Sequence, residues 1–316
     1  GIAMTEIRSN RWWGFACLIL VVLAGCAPGL EGRPAGMASV GPSSACILVD
    51  TDAALDDFRA IGALIRNGRI VGVVVTEGIA SPAKGAMAVS HLLAAANVRP
   101  AVAVIVGAAS PAPSRESWLP EARANAERLN SFLAEAVPLP DSGRALEEEV
   151  ERLVADCGEV RVVVLGPWTS FIRYRPRIAA RLRQVVTQGL PLADVPQGRS
   201  PGFNCRYDLA ACRQVNDTLL PAALGVWVDV PRNATPPYAP TAEMIGQLTP
   251  AGLPGTVRAL FLGNPGGWKD TLMWDDSAVL YFLHPEAFAP KGAHVEPIVS
   301  PDEIRRLWLQ DTNRLN

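Results

Sequence analysis

Six short apolar runs, separated by segments with helical periodicity, recur along this 316-residue chain. The runs are nearly continuous in Val, Ile, Leu and Ala, a composition typical of strands that helices cover on both faces. Strands that alternate with helices build βαβ units and a parallel sheet. We therefore predict an α/β fold: an open, mostly parallel, Rossmann-like sheet with helices on both faces. The predicted strands are residues 46–49, 70–76, 101–106, 160–165, 184–187 and 224–230, and the predicted helices are residues 56–67, 82–95, 116–136, 144–157, 167–183, 207–219, 241–248 and 275–283.

An acidic octet follows the first run directly, because residues 50–57 read Asp-Thr-Asp-Ala-Ala-Leu-Asp-Asp. Apolar residues then recur with helical spacing at Phe58, Ile61 and Leu64, so the octet is predicted to lie at the carboxyl end of a strand, where open α/β sheets bind ligands. Four carboxylates this close repel one another unless a cation neutralises them, and hard oxygen ligands suit Ca²⁺ or Mg²⁺. Asp is also favourable at a helix N-terminus. The octet alone therefore leaves a metal site and an acidic helix cap open.

The N-terminal segment has the pattern of a targeting signal. Met4 is followed by the basic residues Arg8 and Arg11, and residues 12–23 form an apolar core that is too short to span a bilayer comfortably. Small residues and Pro follow that core. We therefore predict that residues 1–25 are a cleaved signal peptide and do not belong to the fold.

The residues Leu-Ala-Gly-Cys at 23–26 resemble a bacterial lipobox. On that resemblance Cys26 would be lipidated and would anchor the mature protein at the cell envelope, where Ala27 favours the periplasmic side of the outer membrane. Residues 26–44, rich in Gly, Pro, Ala and Ser, would form a flexible tether, and residues 45–316 a single α/β domain. The alternative is an ordinary signal peptide with an incidental Cys.

The composition of the chain bears on its partners and on its cysteines. With 29 basic and 31 acidic residues, the chain is nearly neutral, which gives no indication of a nucleic-acid partner. The cysteines of the predicted domain fit neither a zinc pattern nor a disulfide scaffold. We expect them to be mainly small buried apolar residues, with a single bridge as the alternative. They are Cys46, Cys157, Cys205 and Cys212.

Three further segments follow the octet in order. Residues 165–170 read Leu-Gly-Pro-Trp-Thr-Ser, residues 202–211 contain Gly-Phe-Asn and then Asp-Leu-Ala-Ala, and residues 274–278 read Trp-Asp-Asp-Ser-Ala. Together with the octet they are similar to the motifs Asp-x-Asp-Pro-Gly-x-Asp-Asp, Leu-Gly-Pro-Leu-Thr-Asn, Glu-Phe-Asn and His-Asp-Pro-x-Ala of the inosine-uridine-preferring nucleoside hydrolase family. The resemblance covers residues 46–285.

This resemblance implies a metal-dependent glycosidase. Family members hold a Ca²⁺ ion at the strand ends and use a metal-bound water to hydrolyse the N-glycosidic bond of a ribonucleoside or a related ribosyl compound. Asp52 would be both a metal ligand and the general base. The other implied metal ligands are Asp57, the backbone carbonyl of Thr169, and Asp275. Homo-oligomers are usual in the family, although a membrane tether could alter that.

The resemblance also assigns supporting and substrate-binding residues. Asp50 would not bind the metal itself but would hold the metal-binding groups in place. Asp56 and Asn204 would bind ribose hydroxyls. Trp274 would take part in catalysis by stacking on the leaving nucleobase, with plain packing in the pocket as the alternative.

The sequence departs from the family motifs at several positions. Ala53-Ala54 replaces Pro-Gly, so a turn that Gly would favour has to be made by Ala. Ile79 stands where an Asn usually contacts the sugar, Gly202 replaces a Glu, and Trp274 replaces a His. The implied metal ligands survive whereas three substrate contacts do not. The alternative function is therefore a catalytically weak or inactive, metal-dependent binding protein for a ribose-bearing ligand at the cell envelope.

Overall fold

The six apolar runs form strands of one eight-stranded sheet. The computed structural model describes residues 45–97, 101–128, 142–264 and 271–314. The strands are β1 (Ala45–Thr51), β2 (Ile70–Val75), β3 (Ala103–Val106), β4 (Glu159–Val164), β5 (Leu182–Gln188), β6 (Gly225–Val228), β7 (Phe288–Lys291) and β8 (His294–Pro297). They lie in the order β3-β2-β1-β4-β5-β6-β8-β7, and neighbouring strands are parallel except for β7 and β8, which are antiparallel.

Helices cover both faces of this sheet. Because side chains alternate along a strand, Ile47 and Val49 of β1 pack against one helical layer and Cys46 and Leu48 against the other. The predicted fold class is therefore confirmed. The first layer contains α1 (Leu55–Leu64), α2 (Pro82–Ala96), α9 (Gly252–Leu262), α10 (Trp274–Leu283) and α11 (Pro301–Thr312), and the second contains α4 (Leu146–Leu153), α5 (Thr169–Ile178) and α7 (Leu209–Leu219). The remaining helices are α3 (Leu119–Glu127), α6 (Phe203–Tyr207) and α8 (Ala242–Gly246).

The strand order creates a crevice beside β1. This strand pairs with β2 on one side and with β4 on the other, so the chain builds one half of the sheet first and then returns to build the second. In open α/β sheets, ligands bind outside the carboxyl ends of the strands at such a reversal. The octet begins in the last two residues of β1 and continues beyond its carboxyl end, and residues 165–170 follow β4. Both motifs therefore lie at the same end of the crevice.

All six predicted strands are present, but one predicted helix runs into a strand. The helix predicted at 167–183 ends at Ile178 in α5, which carries Pro176 in its last turn, and the residues from Leu182 onward form β5. Because Pro lacks an N–H group, it is a poor residue for the body of a helix. Within the helix predicted at 116–136, the structure shows α3, and residues 129–141 lie outside the described part.

Sequence patterns missed four elements near the C-terminus. The strands β7 and β8 have only four residues each and both contain Pro, and α9 contains Gly and Pro residues that lower its helix propensity. The start of α11 was detectable, because the Ser300 side chain accepts a hydrogen bond from the Glu303 N–H and Pro301 occupies the first turn. Ser, followed by Pro and then by Glu at this spacing, is a helix-start signal.

The four cysteines of the domain form two disulfides, which corrects the expectation of small buried apolar residues. Cys46 of β1 pairs with Cys157, which lies between α4 and β4. Cys205 of α6 pairs with Cys212 of α7. The first bridge joins residues 111 positions apart and the second only 7. Sequence spacing could not reveal the long pairing, because the fold alone brings β1 beside β4.

The predicted signal peptide at 1–25, the tether at 26–44 and Cys26 lie outside the described residues. All described residues belong to one compact unit that spans Val40–Asn316. Within the described part, the search for a helix that is both long and apolar enough to cross a bilayer finds none.

We expect the two disulfides to contribute unequally to stability. In the chain-entropy model the long loop closed by Cys46–Cys157 contributes about 5 kcal/mol and the short loop closed by Cys205–Cys212 about 2 kcal/mol. The double substitution Cys46→Ser/Cys157→Ser should therefore lower the free energy of unfolding in urea more than Cys205→Ser/Cys212→Ser does. Equal losses would contradict the loop-length argument.

Candidate metal centre and active site

The octet, the segment after β4 and the start of α10 line one cavity of about 290 Å³. Its walls include residues at the carboxyl ends of β1, β4 and β5, which is where the strand order predicts a ligand site. The polar side chains on its walls include Asp52, Asp56, Asp57, Asp275, Asn204 and Gln188. The cavity thus brings the acidic octet together with Asp275, which lies more than two hundred residues later.

Three carboxylates converge in this cavity. Asp56, Asp57 and Asp275 each offer an oxygen, and these oxygens all lie within 4.8 Å of one another. Asp56 and Asp57 lie in the first turn of α1, and Asp275 lies in the first turn of α10. Asp57 and Asp275 are only 1% and 2% exposed. The resemblance assigned Asp52 rather than Asp56 to the metal, so the structure adds Asp56 to the candidate ligands.

Burial and mutual repulsion make these acids hard to ionise together. Burial raises the pKa of Asp57 well above its usual range, and the charges of Asp52 and Asp56 raise it further. Burial, followed by the charges of Asp57 and Asp56, also raises the pKa of Asp275 well above its usual range. Burial raises the pKa of Asp56 as well, with Arg59 opposing the shift. A bound divalent cation would stabilise the ionised forms of all three.

Asp52 directly follows β1 and is held by backbone groups. Its Oδ2 accepts a hydrogen bond from the Ile79 N–H at 2.9 Å. Burial raises the pKa of Asp52 to about 7, although that hydrogen bond opposes the shift. Two glycines allow this close packing, because a Cβ at Gly78 would collide with the Asp52 carboxylate and one at Gly166 would lie 2.8 Å from the Asp52 nitrogen. A fixed carboxylate that titrates near neutrality has the properties of a general base.

Asp50 lies behind the cavity in a fully buried network of hydroxyl groups. Its Oδ1 accepts a hydrogen bond from Thr76 Oγ1 at 2.5 Å, and its Oδ2 accepts one from the Tyr174 hydroxyl at 3.0 Å. Ser170 Oγ lies 2.6 Å from Thr76 Oγ1 and accepts a hydrogen bond from the Ala108 N–H. Burial raises the pKa of Asp50 to about 7 against the effect of these hydrogen bonds. The network ties β1, β2 and α5 together beneath the acidic octet.

The turn of the octet contains a left-handed residue, Ala53, at φ 53°. The Gly of the family motif aligns with Ala54, so the unusual backbone conformation was expected there. Ala54 instead has an ordinary φ of −75°. A left-handed conformation costs an L-residue about 1 kcal/mol or more. The Ala53 N–H donates to Thr51 Oγ1 at 3.0 Å, and Thr51 Oγ1 donates to Asp57. The strained turn therefore orients one of the converging carboxylates.

Asn204 lines the cavity, whereas Thr169 is not among the lining residues. Thr169 is the first residue of α5, and its hydroxyl donates to Asp208 at 2.7 Å. The Asn204 side-chain amide donates to the Leu165 carbonyl at 2.7 Å, and Asn204 lines the cavity. This bond fixes the orientation of Asn204 and leaves its Oδ1 as an acceptor for a ligand.

An apolar wall faces the acids. Trp118, Phe203 and Trp274 all line the cavity, and the rings of Trp118 and Phe203 are 5.1 Å apart. Trp118 directly precedes α3, which is held over the cavity because Arg123 donates to the carbonyls of Gly78 and Ile79. Aromatic side chains in such a cavity can stack on a flat ligand.

Five polar or aromatic residues that line this cavity were not predicted from the sequence, namely Trp118, Asn125, Gln188, Phe203 and Thr271. Gln188 could have been found, because it lies at the carboxyl end of a predicted strand. Trp118 and Asn125 could not, because they line the cavity only through the docking of α3.

A family model for inosine-uridine preferring nucleoside hydrolases matches residues 47–306. The chain belongs to this family. The family predicted from the motifs is thereby confirmed. A comparison with functionally curated proteins finds no match.

Solved structures of nucleoside hydrolases share the fold of this family member. The inosine-uridine preferring nucleoside hydrolase from Bacillus anthracis is 12% identical with a TM-score of 0.63, and the alignment covers 85% of this chain and 99% of that one. The purine-preferring ribonucleoside hydrolase from Gardnerella vaginalis is 13% identical with a TM-score of 0.60, covering 85% and 98%. A plant nucleoside hydrolase is 14% identical with a TM-score of 0.64, covering 87% and 100%. At these identities the similarity establishes the fold alone.

The donor set of this family member fits a hard divalent cation. The three converging carboxylates offer oxygen ligands, which Ca²⁺ and Mg²⁺ prefer. The substrate side departs from the family motifs. Ile79 supplies Asp52 with a backbone N–H but carries an apolar side chain, and a Cβ at Gly202 would meet no atom within 4 Å. The space beside Gly202 is therefore open.

Removing one converging carboxylate should raise the stability of the metal-free protein and weaken its binding of Ca²⁺. Asp275→Asn relieves repulsion, so we expect the protein without added metal to become more stable by about 1 kcal/mol. The rise in Tm on adding Ca²⁺ should become much smaller, because the cation loses a charged ligand. Thermal unfolding in EDTA and in Ca²⁺ measures both effects.

Asp311→Asn is the matched control for this prediction. Asp311 is also a buried carboxylate, but it lies 2.7 Å from His284 Nε2 and outside the converging group. Its substitution should leave the Ca²⁺-induced rise in Tm unchanged. An Asp275→Asn protein that responds to Ca²⁺ as the wild type does would refute the assignment.

Proposed function

We propose that the protein hydrolyses the N-glycosidic bond of a ribonucleoside, or of a related ribosyl compound, in a Ca²⁺-dependent reaction. The observation that carries this proposal is the convergence of the carboxylates of Asp56, Asp57 and Asp275, in a cavity that Asp52 and aromatic side chains also line. Membership of the nucleoside hydrolase family supports the reaction type. We favour Ca²⁺ over Mg²⁺ because Ca²⁺ accepts more oxygen ligands and a less regular geometry.

Several residues would bind the metal, and one would accept the proton of the attacking water. Asp57, Asp275 and the Thr169 carbonyl would hold the ion, together with Asp52 or Asp56. When bound, Ca²⁺ would supply a positive charge that makes a water easier to deprotonate and orients sugar hydroxyls. Asp52, fixed by a backbone N–H, would accept the proton of the attacking water.

The sugar and the leaving group would occupy the rest of the cavity. Asp56 and Asn204 would accept hydrogen bonds from sugar hydroxyls. Trp274 lies at the start of α10, next to Asp275, and the Arg232 guanidinium lies 5.9 Å from its ring. We propose that Trp274 stacks on the leaving nucleobase, because an aromatic face beside the acidic group is where a flat leaving group would fit.

Asp52→Asn tests the proposed general base. An amide cannot accept the proton of water, so release of free base should fall by about 10²- to 10⁴-fold. Chromatography of free base, with inosine, adenosine, uridine and cytidine as substrates in Ca²⁺, measures the rate. Asp311→Asn should keep the wild-type rate. Equal rates for Asp52→Asn and the wild type would remove Asp52 from the mechanism.

The alternative function is a metal-dependent binding protein for a ribose-bearing ligand. It is favoured by the apolar Ile79 side chain and by the open space at Gly202, because each lost hydrogen bond to the sugar removes about 1–3 kcal/mol of transition-state binding. Calorimetry with the same nucleosides distinguishes the two functions. Binding in Ca²⁺ without any release of free base would support the binding protein and refute the hydrolase.

We also propose that the protein is exported and anchored by a lipid on Cys26 at the bacterial cell envelope, on the periplasmic side of the outer membrane. The proposal rests on the signal-like residues 1–25 and on the lipobox at residues 23–26. The two disulfides support it, because disulfides persist in oxidising compartments outside the cytosol.

Cys26→Ser tests the anchor in a bacterial host. The wild type should incorporate labelled palmitate and sediment with outer-membrane vesicles, whereas the variant should do neither. Palmitate labelling that is unchanged in Cys26→Ser would refute lipidation at this residue.

A further inference from the structure

A buried ion pair joins the two helices that carry the converging acids. Arg59 of α1 and Asp276 of α10 have side chains that are both 0% exposed. Arg59 Nε lies 3.0 Å from Asp276 Oδ1, and Arg59 Nη2 lies 2.8 Å from Asp276 Oδ2, so the contact is bidentate. Asp57 lies two residues before Arg59, and Asp275 directly precedes Asp276. The pair therefore lies within one helical turn of a candidate metal ligand on each helix.

The same guanidinium also holds the chain segment that leads into α10. Arg59 Nη1 donates to Thr271 Oγ1 at 3.1 Å, and Nη2 donates to the Leu272 carbonyl at 3.3 Å. Thr271 itself lines the cavity. The ring of Phe261 in α9 lies 5.5 Å from the guanidinium carbon. Arg59 is thus fixed by several groups and in turn fixes the start of α10 relative to α1.

A buried ion pair of this kind mainly fixes the relative position of the two helices that carry it. The cost of removing two charges from water offsets most of their attraction, so a buried ion pair adds little net stability. The planar fork of Arg, however, restricts both the distance and the angle of its carboxylate partner. Residues 59 and 276 are 217 positions apart, so no local backbone constraint sets the spacing of the two helices.

We propose that Arg59 and Asp276 form a positioning pair that sets the spacing between Asp57 and Asp275, and thereby the affinity of the site for Ca²⁺. This inference rests on the proposed Ca²⁺ dependence. Arg59 and Asp276 act through the carboxylates beside them, and neither lines the cavity among the described residues.

The double substitution Arg59→Met/Asp276→Leu removes the pair without leaving a buried charge alone. Since apolar replacement of a buried ion pair is often neutral or stabilising, Tm in EDTA should stay the same or rise. Ca²⁺ affinity, measured by calorimetry on the protein without nucleoside, should fall by about 10- to 100-fold, as it does when residues that support metal ligands are removed.

Arg59→Lys provides a second test that keeps the charge. Lys cannot form the bidentate contact or reach Thr271 and Leu272 at the same time, so we expect a Ca²⁺ affinity between those of the wild type and the double variant. This variant remains informative if the double variant does not fold. A Lys variant with wild-type affinity would show that geometry at this pair does not matter.

Trp308→Phe is the matched control. Trp308 Nε1 donates to the Arg59 backbone carbonyl at 3.1 Å, so its loss perturbs α1 without touching the ion pair. It should lower Tm but leave Ca²⁺ affinity unchanged. The inference is overturned if the double variant binds Ca²⁺ as tightly as the wild type, or if Trp308→Phe weakens binding equally.

The same measurements separate this inference from the proposed function. A wild type that binds Ca²⁺ but releases no base would refute the hydrolase and leave the positioning pair standing. A double variant with unchanged affinity, in a protein that does release base, would refute the pair alone. A wild type that does not bind Ca²⁺ would refute both.

Discussion

Electrostatic repulsion among closely spaced carboxylates shapes the whole cavity. Asp56, Asp57 and Asp275 converge from two helix N-termini, and burial raises the pKa of each. A protein keeps such an arrangement only when the surrounding structure holds it in place. Here the support consists of the strained turn at Ala53, the hydroxyl network beneath the octet and the Arg59–Asp276 pair. The unfavourable electrostatics and their structural support both fit a site built for a cation.

The two sides of the cavity have diverged to different degrees from the motifs of the family. The acidic residues of the motifs are all retained, whereas Ile79 and Trp274 stand where the family has Asn and His, and the space beside Gly202 is open. A ligand that gains from aromatic contact and needs few hydrogen bonds to its sugar fits this cavity best, because the remaining polar groups are concentrated around the acids.

Much of the fold was accessible from local patterns, and the failures have physical causes. The strands of the parallel core are buried on both faces and therefore read as apolar runs. β7 and β8 are only four residues long, and each contains a Pro and a charged residue, so neither reads as an apolar run; β7 forms the edge of the sheet. The pairing of Cys46 with Cys157 depends on β1 lying beside β4, which is a property of the assembled sheet. α3 supplies Trp118 through docking, for which the sequence carries no local signal.

The sequence by itself determined the α/β class, the position of the octet at a strand end and the four motifs of the family. These features follow from hydrophobic periodicity and residue order, which are local properties of a chain. Only the tertiary structure decided that Asp56 joins Asp57 and Asp275, that Ala53 takes the strained conformation, and that the cysteines pair. It also revealed the Arg59–Asp276 contact. The approach of Asp275 to Asp56 and Asp57, the Cys46–Cys157 bridge and the Arg59–Asp276 contact join residues far apart in sequence, and the packing of helices and strands sets those distances.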